Sequence, residues 1–122
     1  MEYNIEIKNN ILYIIPLYLE HEQNVIVPIS KIDILGPVTY KTSDIKQNAK
    51  QGSLYIYYSF SLAVGKEHLE IKTIIVNEDD ELTELYTEKE ILIEMRKKIV
   101  EAMEKQYSGY ILDKPQKIKI KE

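Results

Sequence analysis

The stretch TEKEILIEMRKKIVEAMEKQY, residues 87–107, predicts one long amphipathic helix. Thr87 and Glu90 have the spacing of a capping box, so we expect the helix to begin at Thr87 and Ser108-Gly109 to end it. Charged side chains, Glu88 among them, are expected on the solvent side. The apolar residues at spacings of three and four are Ile91, Leu92, Met95, Ile99, Ala102 and Met103. This apolar stripe must be buried against another element, most simply a sheet.

Strand-like segments come before this helix. Residues 2–8 alternate in polarity, and Asn9-Asn10 can form a two-residue turn into residues 11–19. The latter run is apolar on both faces, which predicts a central strand with a bend at Pro16. Val25 to Val27 and Ile29 to Leu35 follow, and the second of these alternates at Ile32 and Ile34.

The strongest strand signal is Leu54 to Val64. Alternation assigns Leu54, Ile56, Tyr58, Phe60, Leu62 and Val64 to one face and Tyr55, Tyr57, Ser59, Ser61 and Ala63 to the other. Residues 40–53 before it are polar and predict a long mobile connection. After it, Gly65-Lys66 predicts a turn into a strand that runs to about Val76.

Together these segments predict a single α+β domain over residues 1–122. We expect an antiparallel, strongly bent sheet or partly open barrel of about six strands within residues 2–76, with one C-terminal amphipathic helix at about 88–107. A basic tail, residues 110–122, completes the chain, and its residues 117–121 alternate like a lysine-protected edge strand.

The net charge of −4 is unevenly distributed. Residues 1–61 hold six acidic and five basic residues, residues 62–106 twelve and seven, and residues 107–122 two and four. This acidic balance repels phosphate groups, so binding to nucleic acid is not expected. The longest apolar run, residues 11–19, is too short for a signal core or a membrane span. The absence of cysteine agrees with the reducing cytoplasm, where we expect the protein.

Three stretches of this sequence resemble bacterial pleckstrin-homology-like domains, in pattern and element order. They are Ile11 to Leu17, Val25 to Ile34 and Glu88 to Met103, and the resemblance covers about residues 1–106. It implies a strongly bent sheet plugged by the helix, and binding of peptides, partner proteins or lipid headgroups without catalysis. The basic first loop of lipid-binding members is missing here, because only Asn9-Asn10 occupies that turn. Lipid binding is therefore not expected.

One candidate ligand site combines tyrosines with nearby lysines. Tyr55 and Tyr57 lie on the less apolar face of the strongest strand, where aromatic rings can stack on a ligand or anchor a protein interface. The neighbouring lysines could complete an anion-binding rim. The predicted ligand-binding residues are Tyr40, Lys41, Lys46, Lys50, Tyr55 and Tyr57. The alternative is that Tyr55 and Tyr57 pack under the helix or on a neighbouring strand.

The sequence offers no catalytic residue, metal site or cofactor site. His21 and His68 are expected to be surface histidines. Adjacent residues on a strand point to opposite faces, so the glutamates beside them in the sequence are not evidence of a shared site. Glu78 to Glu81 lack the spaced oxygens and the glycine of a calcium loop, and are expected to form a solvated turn.

The leading hypothesis is a small non-enzymatic binding module that recognises a protein partner or a small anionic ligand and forms a homo-oligomer. Fifteen lysines against one arginine, with twenty isoleucines and ten tyrosines, are typical of AT-rich genomes and point to a low-GC bacterium or its phage. A phage or mobile-element protein of this kind would inhibit a host protein or sequester a metabolite. A small enzyme using scattered Asp, Glu and Tyr residues, or a nucleic-acid-binding protein using the tyrosines and the tail, remain open alternatives.

Overall fold

The computed structural model describes residues 1–18, 23–43 and 54–113. These residues form nine strands, one 3₁₀ turn at Ile29–Lys31 and one α-helix. The strands are β1 (Tyr3–Lys8), β2 (Ile11–Pro16), β3 (Val25–Pro28), β4 (Ile34–Leu35), β5 (Thr39–Ser43), β6 (Tyr55–Val64), β7 (Glu67–Lys72), β8 (Val76–Asn77) and β9 (Tyr110–Ile111), and the helix is α1 (Thr83–Gln106).

The first three strands form an antiparallel sheet in the order β1-β2-β3. The predicted turn between β1 and β2 is confirmed, since Asn9 and Asn10 both have positive φ angles of 51° and 63°. The prediction that β2 is a central strand is also confirmed. Pro16 is the last residue of β2, and its missing N–H does not interrupt the pairing with β1, because the Leu17 N–H still donates to the Glu2 carbonyl at 2.9 Å.

The second sheet is built around β6, which pairs with β5 and β4 along one edge and with β7 and β8 along the other. It curls into an open half-barrel. The α+β class with one C-terminal helix is therefore confirmed. The sheet is mixed rather than purely antiparallel, because β9 runs parallel to β4.

Three predictions between β3 and the helix are corrected. The polar stretch expected to be a mobile connection from residue 40 contains most of β5, because its backbone pairs with β6 from Thr39 to Ser43; residues 44–53 lie outside the described part. The expected alternation of Ile32 and Ile34 is replaced by a 3₁₀ turn and a short strand, with Ile32 buried. The strand expected to reach Val76 breaks after Lys72 and resumes as β8.

The helix begins one turn earlier than predicted. Thr87 is not its N-cap: the Thr87 Oγ1 hydroxyl lies inside the helix and donates to the Thr83 carbonyl at 3.0 Å. The predicted stop is confirmed, because the helix ends at Gln106 and Tyr107 takes a left-handed conformation. Two positions on the helix differ from the prediction. Glu88, expected on the solvent side, is buried, and Ile91, expected in the apolar stripe, is 43 % exposed.

The core lies between α1 and the inner faces of both sheets. Its fully buried side chains include Leu12 from β2, Phe60 and Leu62 from β6, and Leu92 and Ile99 from α1. The apolar face predicted for β6 is thus the face that meets the helix, as expected. Its opposite face is available for other contacts.

Candidate functional site

The tyrosine–lysine face is the side of β5, β6 and β7 that points away from α1. Strand alternation places Tyr55 and Tyr57 on this face, both half-buried. The register pairs Lys41 of β5 with Tyr57, so these two side chains share it. The tyrosines therefore do not pack under the helix.

An ionic cluster occupies the centre of the tyrosine–lysine face. Lys41 Nζ lies 2.7 Å from Glu70 Oε2, and the buried Ser59 Oγ donates to the same oxygen at 3.2 Å. Burial alone would raise the pKa of Glu70, but the hydrogen bonds from Lys41 and Ser59 and the charges of Lys41 and Lys72 outweigh burial and lower it. The Lys41 charge is thus already compensated within the protein.

Of the other predicted ligand-binding residues, Tyr40 lies outside this face. Tyr40 is on the opposite face from Tyr57, because its register partner is Tyr58. Its ring meets the Tyr58 ring edge to face at 5.5 Å, and Lys89 Nζ lies 4.6 Å from the centre of the Tyr58 ring. Lys46 and Lys50 lie outside the described residues.

Sequence reasoning placed Ser59 on this face by alternation, but it missed Glu70 and Lys72 as members. Lys72 Nζ lies 5.9 Å from the centre of the Tyr57 ring, and the register pairs Ser59 with Lys72. The available signal was the β6–β7 turn, which fixes the pairing of Ser59 and Ser61 with residues 72 and 70 once the turn residues are known.

A groove of about 530 Å³ separates β3 from the β6–β7 hairpin. Val25, Ile26 and Val27 line it from β3, and Val64 and Leu69 line it from the hairpin. Charged residues Lys31, Asp33 and Glu67 form its rim. The Asp33 carboxylate accepts a hydrogen bond from the Gly65 N–H at 2.7 Å, which ties the hairpin turn to the loop after β3.

β3 carries a free hydrogen-bonding edge in the described part of the chain. The Ile29 N–H donates to the Asn10 carbonyl at 2.9 Å, which makes Ile11 and Pro28 a non-hydrogen-bonded pair. By alternation, Val25 and Val27 direct their backbone groups to β2, whereas Ile26 directs its N–H and C=O away from the sheet. The Ile26 side chain is 60 % exposed, so this edge is both unpaired and apolar.

The outer apolar face lies on the three-stranded sheet, opposite the core. Ile11, Tyr13 and Ile15 of β2 point outward, are half-buried and do not pack against the core. The register places the exposed Ile26 and Pro28 of β3 beside them. A solvent-facing sheet surface normally carries polar side chains, so this composition is unusual.

Two charged side chains of the helix, the buried Glu88 and the half-buried Arg96, form bonds that hold the fold together. Glu88 accepts a hydrogen bond from the Ile74 N–H at 2.8 Å, and its other carboxylate oxygen lies 3.2 Å from the amino group of Met1. Arg96 donates to the carbonyls of Gly36 and Leu112 at 2.7 and 2.6 Å, and burial lowers its pKa. No buried side-chain nitrogen or oxygen in the described ranges lacks a partner.

In comparisons with known proteins, no family model, no curated protein and no solved structure matches the chain. Residues 1–18, 23–43 and 54–113 contain no cluster of three His, Asp or Glu side chains suited to a metal ion. Within the same residues, α1 is too polar to span a bilayer, and no other helix has the length.

Proposed function

We propose that this protein is a non-enzymatic interaction module that binds an extended segment of a partner polypeptide along the free edge of β3. The observation that carries the proposal is the outward-pointing backbone of Ile26 at the wall of the β3–hairpin groove. An unpaired strand edge is a template for one more strand, and side-chain pockets beside it select the sequence that pairs. The occupant is therefore a β-strand of another chain.

The groove defines the chemistry of that strand. Apolar side chains of the incoming segment would contact Val64 and Leu69, since these residues line the wall opposite β3. The rim carries the basic Lys31 and the acidic Asp33 and Glu67, which favours a segment that carries both charge signs rather than a strongly anionic one. An apolar segment flanked by one acidic and one basic residue fits best.

The roles of the two residues with shifted pKa values support recognition rather than catalysis. Glu70 and Arg96 have lowered pKa values, and both are engaged in bonds that hold the fold together. We further propose that the module is pleckstrin-homology-like, acts in the cytoplasm of a bacterium or its phage, and self-associates. An inhibitor of a host protein would need this kind of polypeptide-binding surface.

A small anion bound on the tyrosine–lysine face is the second candidate. Lys41 and Lys72 flank Tyr57 there, and Glu70 is the carboxylate that faces them. An anion would have to displace Glu70 from Lys41, so this hypothesis requires the ion pair to open. The β3 edge requires no such rearrangement.

The test is selection of binders from a displayed library of random dodecapeptides. Binding of the selected peptides is then measured on the wild type, Ile26→Pro, Tyr57→Ala and Tyr13→Lys. Ile26→Pro removes the outward N–H and the exposed isoleucine side chain but leaves the bonds between β2 and β3, so it should abolish binding with little change in fold. Tyr57→Ala and Tyr13→Lys should bind as the wild type does.

Three results would overturn the β3 edge as the site. They are binding that survives Ile26→Pro, binding that is lost in Tyr57→Ala instead, and a selection that returns no peptide. The second result, together with competition by inorganic phosphate, would move the site to the tyrosine–lysine face. Amide exchange must slow at Ile26 when a selected peptide binds, because its N–H then gains a partner.

A further inference from the structure

We infer that the outer apolar face binds a second copy of this chain and forms a two-fold symmetric dimer. The inference rests on the self-association proposed above and is independent of the β3 edge. Ile11, Tyr13 and Ile15 form the centre of this face, and none of them packs against the core. Water exposure of an apolar sheet face is unfavourable, and burial against another apolar face removes that cost.

The charges beside this face are self-complementary. Glu6 and Lys8 are the β1 neighbours of Tyr13 and Ile11, so all four side chains share the face. The two charged groups lie 3.4 Å apart and are exposed. A strongly acidic or basic partner would be repelled by one of them, whereas a second copy offers Lys8 to Glu6 and Glu6 to Lys8.

The register gives the position of the two-fold axis. Glu6, Tyr13 and Ile26 form one row across the three strands, and Lys8, Ile11 and Pro28 form the next row. An axis that runs across the strands between these rows places each row opposite the other row of the second copy. Tyr13 then packs on Ile11 of the second copy and Ile26 on its Pro28. At the β1 strands, Glu6 and Lys8 of each copy lie opposite Lys8 and Glu6 of the other.

The distribution of net charge favours the same arrangement. Residues 1–61, which contain the whole three-stranded sheet, hold six acidic and five basic residues. The excess of acidic residues lies in residues 62–106, with twelve against seven, and these include α1. Contact through β1 to β3 therefore joins the nearly neutral parts of two molecules and keeps the acidic parts apart.

The size of the face sets the expected affinity. Three strands about 4.8 Å apart and six residues at about 3.4 Å each give a face of roughly 15 by 20 Å. The area of this face is smaller than the roughly 800 Å² of surface that each partner buries in a standard interface. The dimer is therefore expected to dissociate in the micromolar range, so its detection needs a concentration series.

The experiment is sedimentation equilibrium from low micromolar to near-millimolar protein. The wild-type mass should rise from that of the 14.3 kDa monomer towards twice that value. Tyr13→Lys and Ile15→Lys each put a charged group on the apolar face, where burial in the dimer would be costly, and each should raise the dissociation constant about tenfold or more. Circular dichroism and melting check the fold, and two variants guard against misfolding of either one.

A charge swap tests the proposed axis. Lys8→Glu alone places two carboxylates of each copy opposite those of the other copy and should weaken the dimer. The double variant Glu6→Lys, Lys8→Glu restores opposite charges across the axis and should recover wild-type affinity. Lys97→Glu, an exposed helix position with the same charge change, is the matched control and should leave the mass curve unchanged.

Three outcomes would overturn the inference. A wild type that stays monomeric over the whole series means that no second copy binds, and if Tyr13→Lys then also loses stability, another part of the same chain covers the face. A dimer unaffected by Tyr13→Lys but dissociated by Ile26→Pro forms through the β3 edge instead. A double charge swap that remains as weak as Lys8→Glu excludes the two-fold axis proposed here.

Discussion

Substitution of Gly109 by alanine is expected to destabilise the protein strongly, through a clash that the second sheet cannot relieve. Gly109 connects α1 to β9 and has a φ angle of +69°. A Cβ atom there would overlap the Ile32 carbonyl oxygen and lie 3.1 Å from the Asp33 carbonyl oxygen. Both oxygens belong to the backbone, so neither can move aside as a flexible side chain would.

The magnitude has two parts. A left-handed backbone costs alanine about 1–2 kcal/mol relative to glycine, and an overpacked contact with backbone adds about 1–3 kcal/mol. The free energy of unfolding should therefore fall by about 2–5 kcal/mol in Gly109→Ala. Gly65→Ala is the matched control, because Gly65 has a similar φ of +60° but nothing within 4 Å of the added Cβ. Gly65→Ala should lose only the backbone cost of about 1–2 kcal/mol.

Urea denaturation of the two variants at neutral pH measures this difference directly. Amide exchange adds a local reading, because the Tyr110 N–H donates to the Asp33 carbonyl at 2.8 Å and the Leu112 N–H to the Leu35 carbonyl at 2.9 Å. If the chain accommodates the methyl group by releasing β9, both amides will exchange faster in Gly109→Ala alone. Equal losses of stability in the two variants, with both amides still protected, would refute the reasoning.

Two further substitutions test the other contacts that close the second sheet. Arg96→Lys should lower the free energy of unfolding by about 1–3 kcal/mol, since one ammonium group cannot match the planar fork that binds two carbonyls; exchange at Leu112 should quicken, and a variant as stable as the wild type would contradict this role. Glu70→Gln should make the free energy of unfolding less dependent on pH in acid. Because the pKa of Glu70 is lowered in the folded state, its carboxylate stabilises the fold fully above pH 4.5, and this stabilisation is lost as the pH falls through the folded-state pKa. Urea midpoints across that range measure the change, and a slope equal to that of the wild type would exclude the ion pair with Lys41 as its cause.

The elements that were predicted correctly are those whose signals are local. The Asn9-Asn10 turn, the turn at Gly65, the alternation of β6 and the end of the helix each depend on a few neighbouring residues. β5 gave no such signal, because its residues are polar and become a strand only by pairing with β6. Tyr40 was grouped with Lys41 because the two are adjacent in the sequence. Only the strand register shows that they lie on opposite faces of β5.

The sequence by itself determined the α+β class, the two hairpins, the long helix and the face shared by Tyr55 and Tyr57, because periodicity and turn chemistry act over a few residues. Tertiary structure alone decided the burial of Glu88, the role of Arg96, the parallel pairing of β9 with β4 and the Lys41–Glu70 ion pair. These features join residues far apart in the chain, so their energies depend on where the whole fold places them. The same holds for the outer face of β2: its residues are apolar on both sides in the sequence, and only the strand order leaves one side uncovered by the core.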